Sequence, residues 1–180
     1  IQVPAARWEV TAEIPIAGDH SLHHAFDHPD GSTDKIFFKV DEPSMVDTLT
    51  YSFRVRHGYP PSRNNHWQFL VHSEYSDSGE LLEGMVLGVN FRGSDDLLKL
   101  WQYNGTEANE IISTNLDYQE GIGTVAAPLF MLKRIPGGRW KLSLSLSGQA
   151  GAMQEIGSGM EDFPVTGRNI GFRYSYSSAQ

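Results

Sequence analysis

The stretch "WKLSLSLSG", Trp140 to Gly148, alternates without a break. Trp140, Leu142, Leu144 and Leu146 fall on one side; Lys141, Ser143, Ser145 and Ser147 fall on the other. A period of two with one apolar and one polar face is the signature of a half-buried antiparallel strand. Trp140 then belongs to a core. Immediately upstream, "IPGGRW" (Ile135–Trp140) has the composition of a hairpin turn, which makes "PLFMLKRI" the partner strand. The same alternation recurs in "YSFRVRHGY", with Tyr51, Phe53, Val55, His57 and Tyr59 on one side, and in "NIGFRYSYS". There Ile170, Phe172, Tyr174 and Tyr176 oppose Gly171, Arg173, Ser175 and Ser177.

Further strands are predicted at "RWEV", "HSLHHAF", "KIFFKV", "HWQFLVHS", "GMVLGVNF", "DLLKLWQY" and "NEIIS". "YPPSRNN", "EYSDSGE" and "GSGME" (Gly157–Glu161) read as loops. Leu81 to Met85 reads as a short helical turn, and no amphipathic helix of normal length is visible. About ten short strands without a βαβ rhythm predict an all-β fold of two packed antiparallel sheets, with a barrel as the alternative.

The 180 residues are expected to form a single domain, 1–180, possessing a sizeable core. The formal net charge is −8, opposite to what a nucleic-acid or anionic-membrane surface requires. There are no cysteines, so disulfides and thiolate chemistry are out. No apolar run is long enough for a transmembrane helix. The chain begins at Ile1, as expected of a processed or trimmed product whose signal peptide is gone.

"DHSLHHAFDHPDG", Asp19 to Gly31, holds four of the seven histidines. On a strand, His23 and His24 point to opposite faces. His20 and His28 are roughly 26 Å apart if the chain is extended. One zinc ion does not fit such a spread. His24 is expected on the core side between Leu22 and Phe26, with "DHPDG" as a turn.

The segments "HSLHHAFDHPDGSTDKI", "FRVRHGYPPSRNNHWQFLV", "GMVLGVNFRGSDDLLKLWQYNG" and "IGFRYSYSSAQ" resemble a domain of secreted or surface proteins of Bacteroidetes, similar to laminin-G and concanavalin A-like β-sandwiches. The likeness runs from Trp8 to Gln180 and is most specific at "GVNFRGSDDLLKLW". It implies an all-β, two-sheet antiparallel β-sandwich (jelly roll, concanavalin A-like). It also implies a secreted or cell-surface location, periplasmic or outer-membrane associated, within a larger multi-domain chain whose other domains are partners. It carries no mechanism. In similar domains the "YSYSS" strand is followed by another aromatic strand ending in paired aspartates. Here the chain stops at Gln180, and a missing partner strand would leave an edge needing cover.

Concanavalin-like sandwiches include glycoside hydrolases, which need two carboxylates at about 5–9.5 Å. The pairs Glu80/Glu83 and Glu107/Glu110 lie three apart in probable loops. Glu9 and Glu13 stand roughly 13 Å apart on a strand. Asp95 and Asp96 diverge. No nucleophile elbow or phosphate-binding motif is present. No catalytic residue is therefore assigned, and a hydrolase or lyase is left to carboxylates that meet only across strands.

Sugar sites pair aromatic platforms with planar polar groups. Tyr59, Arg63, Asn65 and Trp67 form the richest local mix, competing with a plainer reading as a stiff turn entering a core strand. Trp101 shares its strand face with Leu97, Lys99 and Tyr103, so partial exposure is expected. The ligand-binding set is Tyr59, Arg63, Asn65, Trp67 and Trp101. "RGSDDLL", Arg92 to Leu98, reads as a calcium-binding or ligand-binding loop in which Asp95 and Asp96 supply part of a calcium shell, or as a turn with one aspartate paired to Arg92. No metal site or cofactor is assigned. "NGT" at Asn104 matches a glycosylation acceptor and reads as a turn. The expected function is a non-catalytic extracellular recognition or spacer module, with a polysaccharide or surface protein as partner. A purely structural domain is a further alternative.

Overall fold

The computed structural model describes residues 1–25 and 30–177. Among the described residues, thirteen strands carry nearly all of the regular structure: β1 (Gln2–Val3), β2 (Trp8–Thr11), β3 (Ser21–His24), β4 (Ser32–Lys39) and β5 (Leu49–Arg54). They continue with β6 (His66–Tyr75), β7 (Leu81–Gly88), β8 (Leu97–Tyr103) and β9 (Ala108–Asp117). The last four are β10 (Leu129–Ile135), β11 (Arg139–Ser145), β12 (Gln154–Met160) and β13 (Asn169–Tyr176). A single helical turn, α1 (Tyr118–Gly121), is capped by the Asp117 side chain.

These strands form a seven-stranded sheet, β1-β4-β13-β6-β7-β8-β9, facing a four-stranded sheet, β12-β11-β10-β5, with β2 and β3 as a separate ribbon. All pairings are antiparallel. This is the expected all-β, two-sheet antiparallel β-sandwich. The core lies between the sheets. Trp67, Phe69, Val71, Met85, Leu87, Leu98 and Leu100 from the large sheet meet Phe130, Leu132, Trp140, Leu142 and Leu144 from the small one. Burial alternates along β10 as period-two reasoning requires. The predicted turn closes β10 onto β11, with Ile135 paired to Arg139.

Three expectations are corrected. Leu81 to Met85 is the first half of strand β7, paired with β6 and, from Gly84 onward, with β8 as well, not a helical turn. Gly157 to Met160 is strand, not loop; β12 runs along β9. A Cβ at Gly157 would lie 2.4 Å from Ile112 Cγ2, and one at Gly159 would lie 1.8 Å from the Ile111 carbonyl. Glycine here permits close approach of two sheets. Finally, β13 is no edge strand: it sits between β4 and β6, paired on both sides.

The histidine stretch resolves into β3 of the ribbon. His24 turns toward the sandwich, where Nε2 lies 2.9 Å from Asp34 Oδ2 and the ring packs edge-on to Trp8 and Tyr174. The buried Asp34 carboxylate also accepts from Ser32 Oγ and Tyr176 Oη. Leu22, expected beside His24 in the core, is 41% exposed because a two-stranded ribbon buries only part of one face. Phe26, His28 and most of "DHPDG" lie outside the described residues. Among the described residues no three His, Asp or Glu side chains converge as a metal cluster.

Candidate functional site

The expected binding residues do not meet at one place. Tyr59 is 45% exposed and lines a groove of about 870 Å³ between the β2–β3 ribbon and the mouth of the sandwich. Trp8, His24, Arg54, His57 and Tyr174 line the same groove. Trp67 borders it too, but the side chain is only 4% exposed, packed in the main core against Phe53, Tyr118 and Phe130. Asn65 is a buried clip: Oδ1 lies 3.1 Å from both His57 Nε2 and Tyr174 Oη, and Nδ2 donates to the Pro60 carbonyl. Trp101 is fully buried, which corrects the expected partial exposure. It sits on the outer face of the large sheet with Leu70 and Val86, roofed by Phe91 at 5.7 Å between ring centroids. Neither tryptophan offers an open face for a sugar to stack on.

Burial holds the His57 imidazole down to about 4, against the raising effect of its Asn65 hydrogen bond. The folded state thus refuses a proton that the unfolded chain accepts near pH 6.5. Stability is present above that pH and falls as pH drops toward 4, by on the order of 3 kcal/mol from this residue. Urea unfolding at pH 7 and pH 4.5 should show this loss, and His57→Gln should flatten it. Equal slopes for parent and variant would remove His57 as the cause.

Arg63 points attention elsewhere, to a polar cleft of about 780 Å³ on the outer face of the large sheet. Arg63, Asn64 and His66 enter from the β5–β6 connection and the start of β6. Phe91, Arg92 and Ser94 come from the β7–β8 loop, and Arg173 and Ser175 from the polar face of β13. The β7–β8 loop is pinned at its two ends. Asn90 Nδ2 donates to Asp96 Oδ1 at 2.5 Å, and the Asp96 N–H donates to Asn90 Oδ1 at 3.0 Å. Both residues have positive φ, 53° and 56°, a conformation that Asn and Asp tolerate better than most.

That lock decides the fate of "RGSDDLL". Asp96 is held by Asn90, and Asp95 accepts from Lys99 Nζ at 2.5 Å, a lysine that also donates to Glu110. The pairing of either aspartate with Arg92 is therefore corrected. Arg92 instead lies over Phe91 at 5.3 Å and Tyr103 at 5.7 Å. Arg173 lies 5.9 Å from the same Phe91 centroid. Burial, helped by the Arg173 charge and opposed by hydrogen bonds to the Ser62 and Arg63 backbone, lowers the pKa of His66 and favours the neutral ring. Its Nδ1–H faces the Ser62 carbonyl at 3.1 Å, which leaves Nε2 as an acceptor.

Sequence reasoning missed Asn90, Phe91 and Arg173, and it weighed Arg92 within the "RGSDDLL" loop without placing it among the binding residues. The polar parity of Arg173 on its strand was legible, but its meeting with the "NFRG" loop was not.

No family model matches the chain. A curated relative, the T-cell immunomodulatory protein homolog of Plasmodium yoelii yoelii, is 34% identical over 107 residues. The match covers 59% of this chain and 13% of that protein. Among solved structures, the chain is similar to a tetrameric galectin from the ball sponge Cinachyrella sp., with TM-score 0.46 and 18% identity over 78% of this chain and 88% of that one. It is also similar to the CBM2 module of the evolved Dit of Lactobacillus casei BL23 phage J-1, with TM-score 0.39 and 11% identity. That alignment covers 79% of this chain and 69% of the other.

Proposed function

We propose that this domain is a non-catalytic recognition module, displayed outside the cell within a longer protein, that binds a polysaccharide in the cleft around Phe91. One observation carries the reading. The cleft joins a half-buried ring to arginine, asparagine, histidine and serine side chains in a volume within the roughly 300–1,000 Å³ of ligand sites. Planar polar groups around a ring suit a ligand with many hydroxyls and one apolar face. Glycoside hydrolysis draws on two carboxylates. Asp30 is the one carboxylate among the described residues lining the cleft, and Glu13 is the one lining the groove. Both facts support binding over cleavage.

Affinity electrophoresis against soluble polysaccharides tests this, with each polymer checked for shortening. At least one polymer should retard the domain without being shortened. Ser94→Trp, which fills the cleft from an exposed loop, should abolish retardation, while Tyr59→Ala should leave it intact. The reverse pattern would move the site to the groove, and shortening of the polymer would replace binding by an enzyme.

A further inference from the structure

The cleft is cationic in an acidic chain. Its described lining holds three arginines and one aspartate, while the whole chain carries −8. Among the described residues, none of Arg63, Arg92 and Arg173 forms an ion pair with a carboxylate. Arg173 stands mid-sheet, directly opposite Lys35 on β4 and Gln68 on β6. Like charges facing each other across a strand pair are destabilising. Lys35 is steadied by the Gly79 carbonyl and the Tyr75 ring. Arg173 lies over the Phe91 ring, as Arg92 does, with further support from the Tyr75 and Tyr103 phenols. Burial, together with the Arg92 charge, opposes the charge on Arg173. Folding alone gains cation–π contacts from this arrangement but no charged partner, whereas an anion would satisfy both guanidinium groups through paired N–H···O bonds.

We propose that the cleft takes the anionic group of an acidic polysaccharide, a uronate carboxylate or a sulfate ester, held by Arg173 and Arg92 with Arg63 at the rim. The proposal rests on the cleft being a polysaccharide site. Phe91 would lie under the sugar ring next to the charged substituent, and neutral His66 would accept from a hydroxyl. The negative remainder of the surface repels polyanions, so capture would be local to the cleft rather than a general electrostatic adhesion.

The test is affinity electrophoresis with polygalacturonate, its methyl-esterified form, carrageenan and dextran. Polygalacturonate or carrageenan should retard the domain, and which one does so separates carboxylate from sulfate. Arg173→Gln and Arg92→Gln should each weaken that binding about tenfold or more. Esterification should abolish binding to the uronate polymer. Lys141→Gln, on the opposite sheet and paired with Glu155, should change nothing. Arg92 is exposed, so its variant decides the matter if the Arg173 variant melts early. Parental binding by Arg92→Gln, or retardation by dextran or esterified polymer alone, would overturn the acidic ligand and leave a polysaccharide module standing. Retardation by no polymer, neutral or charged, would overturn both.

Discussion

Glu161→Ala is expected to lower the free energy of unfolding by about 3–5 kcal/mol, the range for removing one partner of a buried ion pair. Arg134 follows Phe130 and Leu132 on the inward face of β10 and is 1% exposed. Its Nε and Nη2 donate to Glu161 Oε2 and Oε1 at 3.0 and 2.6 Å. The Trp140 indole N–H donates to the same Oε2 at 2.9 Å. Alanine would strand a guanidinium and an indole N–H in the core together. Glu161→Gln keeps the shape but loses the charge, so it should cost less. Arg134→Met combined with Glu161→Leu should recover most of the loss, because neither charge is then left buried and unpaired. Urea unfolding of the singles and the double completes the cycle. A single-variant loss under about 1 kcal/mol would mean that water reaches this pair, contrary to its burial.

Trp101→Ala should be comparably damaging, at about 3–5 kcal/mol, with a fall in melting temperature of about 10 °C or more. The indole fills the space among Leu70, Val86 and Phe91 on the outer side of the large sheet. Its Nε1–H has no hydrogen-bond partner among the described residues. Trp101→Phe, which keeps most of the ring and deletes that unpaired donor, should cost much less. Because Phe91 rests on Trp101 and carries both Arg92 and Arg173, the alanine variant should also loosen the cleft. Calorimetry distinguishes this from direct contact. A ligand-contacting Trp101 would give a variant that melts like the parent and fails to bind.

Strand identity in this protein was written locally. The alternation in Trp140–Leu144 and Ile170–Tyr174 places core and polar faces because a side-chain period of two is a property of extended backbone alone; it fails where β11 ends at Ser145, which is buried while Leu146, expected in the core, is exposed. The hairpin at Ile135–Trp140 likewise depends on neighbours in sequence. Local reading failed where a distant neighbour sets the meaning of a residue. Gly157 and Gly159 look like a loop until Ile111 and Ile112 lie against them. Leu81 to Met85 is extended because β6 pairs with it and β8 joins from Gly84 onward.

The site was less legible still. Composition marked Tyr59–Trp67 as the place of rings and amides, but Trp67 and Asn65 turn inward, one to the core and one to His57 and Tyr174. The sequence by itself determined an all-β fold of antiparallel strands, the polar parity of Arg173 and an excess of negative charge, and left a barrel open beside the sandwich. Only the tertiary structure decided that Arg63, Arg92 and Arg173 share one cleft. They belong to three separate segments, and long-range pairing of β13 with β6, together with the Asn90–Asp96 lock, brings them together.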